Sequence, residues 1–260
     1  MKRKLILLLL ILVSIVSNGQ EKSTEKAFKS GEWLRYKMSY SGFLRAGSAV
    51  LEVKEEELDG KKVYHAKGTG WTSGMISWFF KVNDVYESYF DVDQVKPYLF
   101  KRDVSEGGYT IKRDTKFDHE KKKATITDRK KDTTSSITIA DVQDMISSFY
   151  YLRNQKVDTL KKGESIKIDM FFDGKTNPFQ LKYMGRKILR TRFGKVETYI
   201  FKPIVQAGRV FKENESVTIW VTADKNKIPI KLKASLAVGS LRADLEGYKG
   251  LANSFKIIVD

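Results

Sequence analysis

Apolar and polar residues alternate over much of this chain, and this alternation constrains its fold more than any other feature. The clearest example has apolar residues at every second position: Ile228, Ile230, Leu232, Ala234, Leu236 and Val238. An earlier segment follows the same pattern with Leu34, Tyr36, Met38 and Tyr40. Because successive side chains of a strand point to opposite faces, both segments are predicted to be half-buried β-strands.

Further strands are predicted between these two segments, at residues 97–103, 109–117, 123–128 and 136–139. They begin about ten residues apart and are separated by turn residues, a spacing typical of an antiparallel meander. Earlier in the chain, the pair Asp59-Gly60 stands between two alternating segments. This dipeptide is a strong signal for a tight β-hairpin.

A helix is predicted to interrupt the strands near the middle of the chain. Its apolar residues fall on a single stripe of an α-helix: Val142, Met145, Ile146, Phe149 and Leu152. Asp141 is placed to cap the first turn. One such helix can cover the apolar face of a curved sheet. The sequence therefore predicts a mainly β fold, a curved antiparallel sheet or barrel-like meander with one central α-helix.

The N-terminus has the pattern of an export signal. Three basic residues precede the apolar segment Leu5 to Val13, and small polar residues follow up to Gly19. The apolar segment is much shorter than the roughly 20 residues that span a membrane. We expect a signal peptide at residues 1–19, a polar leader at 20–29, and one β-rich domain at 30–260. The mature protein is then periplasmic or secreted.

The composition narrows the classes of partner. The chain has no Cys, so neither disulfides nor a lipid-modified Cys is expected. It carries 48 Lys and Arg against 32 Asp and Glu, a net charge of +16, which favours anionic membrane or envelope surfaces. Nucleic acid is not an expected partner, because the aromatic residues lie mostly apart from the dense positive charge. The oligomeric state is left open.

No pattern in the chain indicates catalysis. Two His are present, His65 within a predicted strand and His119 in a charged turn, and neither accompanies a nucleophile motif. His65 is expected to be a packed or surface strand residue, and His119 to be solvated. No spacing of His and carboxylates suggests a metal site. The protein is therefore predicted not to be an enzyme, with no catalytic residue, metal or cofactor.

An aromatic-rich stretch, residues 68–91, is the strongest candidate for a functional site. It could close the core at the end of a barrel or beneath the helix. Alternatively, it could line a cavity for an apolar ligand, since such sites are commonly aromatic. On the second interpretation, the predicted ligand-binding residues are Trp71, Trp78, Phe79, Phe80, Tyr86, Tyr89 and Phe90, with Met145 and Phe149 on the covering helix. Read as a strand, Trp78, Phe79 and Phe80 would place aromatic rings on both faces.

Five segments in linked order resemble a bacterial family, the domain of unknown function 3108 family. They are "AFKSGEWLRYKMSYSGFLRAGSAVLEV", "YHAKGTGWT", "FKVNDVYESYFD", "EGGY" and "IPIKLKASLAVGSLRADLEGYKGL". The resemblance covers Ala27 to Leu251 and implies an exported, β-rich, single-domain protein, without bringing any activity or catalytic residue. A more distant likeness, at the level of fold, is to the periplasmic lipoprotein carriers, which hold acyl chains inside a curved sheet.

These observations support one leading hypothesis and two alternatives. The leading hypothesis is an exported, non-catalytic cell-envelope protein that binds a lipid or another apolar ligand. The first alternative is a structural or assembly scaffold whose sheet binds a protein partner in the envelope. The second alternative is a hydrolase of envelope polymers, which would need a polar cleft with at least two carboxylates.

Overall fold

The computed structural model describes residues 26–204, 217–236 and 238–259 of the chain. Within these residues fourteen strands form a single antiparallel sheet that does not close. They are β1 (Glu32–Tyr40), β2 (Leu44–Leu58), β3 (Lys61–Thr72), β4 (Asn83–Asp91), β5 (Pro97–Glu106), β6 (Tyr109–Asp118), β7 (Lys123–Asp128), β8 (Thr133–Thr138), β9 (Ser165–Phe172), β10 (Lys175–Thr191), β11 (Gly194–Ile204), β12 (Val217–Thr222), β13 (Pro229–Ser235) and β14 (Ser240–Lys249). The predicted signal peptide lies outside the described residues.

The first strand occupies the middle of the sheet, which runs in the order β8 to β1, then β14 back to β9. Strand β1 pairs with β2 on one side and β14 on the other, so that Leu34 lies opposite both Leu51 and Tyr248. Apolar residues thereby form rows across neighbouring strands and build the core on one face. The predicted antiparallel, mainly β fold is confirmed.

The hairpin predicted at Asp59-Gly60 joins β2 to β3, where Leu58 pairs with Lys61. Both turn residues have positive φ, 51° and 75°. Two consecutive positive values are the signature of a type I′ turn, whose twist matches that of the flanking strands. The local sequence therefore determines this hairpin and the register that follows from it.

Two α-helices and one 3₁₀ turn complete the described residues: α1 (Ile76–Phe79), α2 (Met145–Arg153) and the turn at Val157–Thr159. Helix α1 was not expected from the sequence. Helix α2 is the predicted central helix, but its cap is Asp144 rather than Asp141. The Asp144 carboxylate accepts hydrogen bonds from the backbone N–H groups of Ile146 and Ser147, both at 2.7 Å. The exposed Asp141 instead pairs with Lys96 at 3.3 Å.

Helix α2 packs on the inner face of β3 and β4 and covers it. The ring of Tyr150 lies 4.6 Å from that of Phe28 and 5.5 Å from that of Phe90, and all three residues are fully buried. Ile146 reaches Gly68, where a Cβ atom would come within 3.1 Å of its Cδ1. A larger residue at position 68 would therefore push the helix away from the sheet.

A buried ion pair anchors the C-terminal end of this helix. Arg153 and Glu32, only 3% and 1% exposed, form two hydrogen bonds of 2.6 and 2.7 Å. The same guanidinium donates to the carbonyl oxygens of Asn226 at 2.9 Å and Ala27 at 3.0 Å. Burial by itself would lower the pKa of Arg153, but the carboxylate of Glu32 outweighs it and raises the pKa. One side chain therefore ties the helix to β1, to the preceding segment and to the β12–β13 turn.

A second buried carboxylate lies at the other end of the helix. Asp144 is completely buried and also accepts a hydrogen bond of 2.5 Å from the hydroxyl of Ser88 on β4. Burial raises the pKa of Asp144 from 3.8 to about 6, against the opposing effect of the hydrogen bonds from Ser88 and the backbone. Because the pKa is higher in the folded chain, this carboxyl contributes stability below about pH 4, and that contribution is lost as the pH rises through 6.

No helix among the described residues is long and apolar enough to span a membrane.

We predict that Arg153→Leu lowers the free energy of unfolding by about 3–5 kcal/mol, because it leaves the carboxylate of Glu32 buried and unpaired. Urea unfolding followed by circular dichroism measures the change. The control is Lys121→Gln, which breaks the exposed pair between Lys121 and Asp118 and should cost less than about 1 kcal/mol. Equal losses in the two variants would contradict the anchoring role of Arg153.

We also predict that Asp144→Asn reduces the pH dependence of stability between pH 4 and 7. Asn is a good helix cap and does not titrate, so the fall of about 3 kcal/mol that ionisation of Asp144 brings over this window should disappear. Urea unfolding of both proteins at several pH values gives the two slopes. Parallel curves for the wild type and the variant would show that Asp144 is not the titrating group.

Candidate functional site

The structure places the nine predicted ligand-binding residues in three separate environments. Four of them face inward around helix α2. Phe90 is fully buried in the core, and Tyr86, Met145 and Phe149 pack against the same cluster. Tyr86 also stacks on Phe100 with ring centroids 6.3 Å apart. These four residues therefore contribute to core packing beneath the helix.

Two others, Trp71 and Tyr89, lie on the outer face of the sheet and are half-buried. Tyr89 stacks on His65 with centroids 4.1 Å apart and planes 6° from parallel. The imidazole of His65 lies between two carboxylates, with Glu56 at 3.1 Å and Glu87 at 3.3 Å. His65 is thus a packed strand residue, as expected from the sequence.

The remaining three, Trp78, Phe79 and Phe80, lie at the surface. The interpretation of these residues as a strand with rings on both faces is wrong, because Trp78 and Phe79 belong to the short helix α1. Trp78 is 81% exposed and Phe79 is 86% exposed. The structure therefore does not gather the nine residues into one site.

Other exposed apolar residues lie at the same end of the sheet. Alternate turns of an antiparallel meander share an end, and the turns β1–β2, β3–β4, β5–β6 and β13–β14 do so here. Each of them carries exposed apolar side chains. We call this set the apolar rim: Phe43, Met75, Trp78, Phe79, Phe80, Tyr109 and Val238.

Contacts between neighbouring turns hold the rim together. A Cβ atom on Gly107 would overlap the ring of Phe80, so the β3–β4 connection packs closely on the β5–β6 turn. The N–H of Gly107 also donates to the carbonyl of Lys81 at 2.9 Å. On the other side, the hydroxyl of Tyr40 donates to the carbonyl of Val238 at 2.9 Å. The rim residues are therefore carried by turns that support one another.

Val238 belongs to the rim because β13 ends earlier than the alternating sequence indicates. The N–H of Leu236 donates to the carbonyl of Gly239 at 3.1 Å, which closes a turn after Ser235. Gly239 has a φ of 73° and lies against the Tyr40 ring, so a side chain would fit poorly there. The prediction that Leu236 and Val238 continue the strand is wrong for this reason.

Exposed basic residues accompany the rim. Lys81 lies two residues after the end of helix α1, and Lys130 and Lys131 lie in the β7–β8 turn at the same end of the sheet. The ammonium group of Lys130 contacts the hydroxyl of Thr110, next to the rim residue Tyr109. Aromatic rings flanked by Lys are typical of segments that lie at a membrane–water interface.

Two clefts elsewhere on the protein have different linings. One of about 690 Å³ lies among the turns at the opposite end, and is lined by both acidic and basic residues, among them Asp59, Lys61 and Glu120. Another of about 440 Å³ lies between the segment before helix α2 and strands β9 and β10. None of the nine predicted ligand-binding residues lines either cleft.

The hydrolase alternative requires at least two carboxylates in a polar cleft. Asp84 and Glu106 lie side by side, and burial followed by the hydrogen bond to Asp84 raises the pKa of Glu106. These two carboxyl groups are therefore closer together than the two catalytic carboxyl groups of glycosidases, which are about 5 Å or more apart. Asp84 also accepts a bond of 3.0 Å from the N–H of Ser105. No group of three or more metal-ligating side chains occurs among the described residues.

His119, which was expected to be solvated, is partly buried. Its Nε2 atom lies 2.7 Å from the carbonyl oxygen of Pro97, and its ring stacks on Phe117 with centroids 6.3 Å apart. These contacts hold the β6–β7 turn against β5. The expectation is wrong because a turn rich in charge in the sequence still packs one of its rings on a neighbouring strand.

Comparison with protein families identifies the chain. It matches the family model described as "Protein of unknown function (DUF3108)" over residues 35–246. The chain belongs to this family. The resemblance noted in the sequence is thereby confirmed, and no curated protein matches the chain.

Solved structures show the same architecture in a member of another family. A β-barrel-like DUF1849 protein from Brucella abortus superposes with a TM-score of 0.58 at 11% identity, covering 86% of this chain and 99% of its own. A Bacteroides fragilis protein whose name describes it as exported gives 0.33 at 7% identity, covering 85% and 97%. A Parabacteroides distasonis protein whose name describes it as a lipoprotein gives 0.33 at 9%, covering 86% and 99%. The first of these likenesses concerns the fold alone, and the other two are too weak to support an argument.

Proposed function

We propose that this DUF3108 protein is an exported cell-envelope protein that binds lipid, without catalysis, through the apolar rim. The observation that carries the proposal is the exposure of Trp78 and Phe79 at the tip of a supported loop. The signal peptide predicted at residues 1–19 supports action in the periplasm or outside the cell. The rim residues differ from those first predicted, since only Trp78, Phe79 and Phe80 are common to both sets.

The exposure of these rings to water is energetically unfavourable, so their burial against a partner would be favourable. Burying one large apolar side chain contributes about 1.5–3 kcal/mol, and the rim exposes several of them. Single exposed apolar residues are common on proteins, whereas contiguous patches mark interaction sites. Trp and Phe at a loop tip can insert into the boundary between lipid headgroups and acyl chains.

The charge of the protein favours an anionic lipid surface over a neutral one. The whole chain has a net charge of +16, of which the predicted signal peptide carries +3, and Lys81, Lys130 and Lys131 lie at the rim end of the sheet. Basic residues close to an anionic bilayer contribute about 1 kcal/mol each. Insertion of aromatic rings and attraction of Lys to headgroups would therefore act at the same end of the molecule.

Packing beneath helix α2 favours binding at the rim over binding under the helix. Phe28, Phe90 and Tyr150 fill that region with fully buried rings. An acyl chain lying there would have to displace the helix, which Arg153 and Asp144 hold at its two ends. The rim needs no such displacement to meet a membrane.

We predict that the protein binds vesicles containing phosphatidylglycerol, and that Trp78→Ala with Phe79→Ala weakens this binding at least about tenfold. Co-sedimentation gives the affinity, and the blue shift of Trp emission reports insertion. The matched control is Ile257→Ala with Val259→Ala, which removes two exposed apolar residues of the C-terminal segment far along the chain from the rim. Its affinity should equal that of the wild type.

Loss of affinity in both double variants, or in neither, would contradict lipid binding by the rim. Failure of the wild type to bind any vesicle would instead favour the assembly-scaffold alternative. For that function, β8 is the place where a partner strand could pair, because it is an edge strand with five exposed residues and neither charge nor Pro.

A further inference from the structure

A second surface feature, separate from the apolar rim, is a cleft on the outer face of the sheet. The tip of the β10–β11 hairpin, around Arg190 and Arg192, lies against strands β1, β13 and β14 and encloses about 290 Å³. The side chains of Lys37, Lys231 and Arg242 line the opposite wall. None of the nine residues predicted from the sequence to bind ligand belongs to this cleft.

The strand register brings the cations of this cleft together. Asp244 of β14 lies directly opposite Lys37 of β1 and Lys231 of β13, so one carboxylate stands between two Lys. One step along the same face, Arg242 lies directly opposite Lys233. Like charges opposite each other on neighbouring strands are destabilising. The sheet therefore concentrates positive charge here at a cost to its own stability.

The two carboxylates of the cleft do not balance these cations. Asp244 is shared by Arg242 at 3.6 Å and Lys231 at 3.8 Å. Glu246 is already paired with Arg35 at 3.1 Å and with Arg192 at 3.9 Å. In the described part of the chain, neither Lys37 nor Arg190 forms an ion pair. Most of these distances are longer than close hydrogen bonds, so the cations can turn toward an incoming anion.

Two further observations are consistent with a binding site for an anion. The Nε atom of Arg242 is buried and has no hydrogen-bond partner among the described residues. Burial, followed by the positive charge of Arg242, lowers the pKa of Lys231. A bound anion would accept a hydrogen bond from the Nε atom of Arg242, and it would raise the pKa of Lys231.

We infer that this cleft binds a phosphate group. A phosphate offers several acceptor oxygens and up to two negative charges, which suit guanidinium forks and Lys ammonium groups arranged around one point. The same chemistry occurs in a soluble diphosphate and in the headgroup of a phospholipid. The inference rests on the cleft alone and holds whether or not the rim binds lipid.

Isothermal titration of the full protein with inorganic diphosphate, at constant ionic strength, tests the inference. We expect saturable binding that Lys231→Gln with Arg242→Gln weakens about tenfold or more. Lys37→Gln with Arg190→Gln should also weaken binding, and it leaves the internal ion pairs of Asp244 intact. The control, Lys116→Gln with Lys123→Gln, removes the same charge from the exposed β6–β7 hairpin and should bind as the wild type does.

Vesicles containing phosphatidic acid form a parallel arm that separates the two sources of phosphate. Loss of both diphosphate and vesicle binding in the cleft variants assigns the site to the phosphate group itself. Loss of vesicle binding alone assigns it to a lipid headgroup. Equal weakening by the Lys116 and Lys123 control, or no effect of the cleft variants in either arm, would overturn the inference. The rim variant, Trp78→Ala with Phe79→Ala, should leave diphosphate binding unchanged. A failure of the rim proposal can therefore be distinguished from a failure of this inference.

Discussion

The buried pair between Arg153 and Glu32 is the interaction on which the rest of the architecture depends. The two residues are 121 positions apart, and their contact brings the end of helix α2 to the start of the central strand. A buried charge is tolerated only when it is paired and hydrogen-bonded. Arg153 satisfies Glu32 and two backbone carbonyls at once. An arrangement that moved the helix would leave at least one of these groups unpaired.

This anchor determines where a ligand can be accommodated. With both ends of α2 fixed, the region beneath the helix is filled by the rings of Phe28, Phe90 and Tyr150. The exposed apolar surface then lies at the other end of the strands, on turns that no element of the described chain covers. A sheet that does not close can thus have a packed core at one end and an apolar rim at the other. The proposed function uses the rim, and the phosphate cleft uses the outer face.

Much of the strand arrangement could be predicted from local patterns. The period-two segments located β5, β6 and β7, with β7 at its observed bounds of Lys123–Asp128. The dipeptide Asp59-Gly60 predicted its hairpin, because two positive φ values at that turn require such residues. The pairing of β1 with β14 could not be predicted in this way, since the two strands are remote in sequence and alternation does not specify which strands pair.

The proposed binding surfaces were harder to predict, for reasons that individual residues illustrate. Asp141 and Asp144 both fit a helix cap, and the choice depends on Ser88, which is distant in sequence and hydrogen-bonds only to Asp144. Trp78, Phe79 and Phe80 are compatible with a two-sided strand or a short helix, because three residues are too few to define a period. The nine predicted residues contain the tip of the rim but not Phe43 or Tyr109, whose turns join it only in the folded sheet. The phosphate cleft draws on β1, the β10–β11 hairpin, β13 and β14 and leaves no contiguous motif.

Hydrogen–deuterium exchange of the full protein, with and without vesicles containing phosphatidylglycerol, tests the central claim most directly. We expect α2 and β1 to exchange slowly in both conditions, because the Arg153 anchor holds them. We also expect vesicles to slow exchange selectively in the turns at residues 41–43, 73–82 and 107–109. Protection that instead appeared around helix α2, or faster exchange of α2 when vesicles are added, would show that lipid enters beneath the helix and would contradict the account.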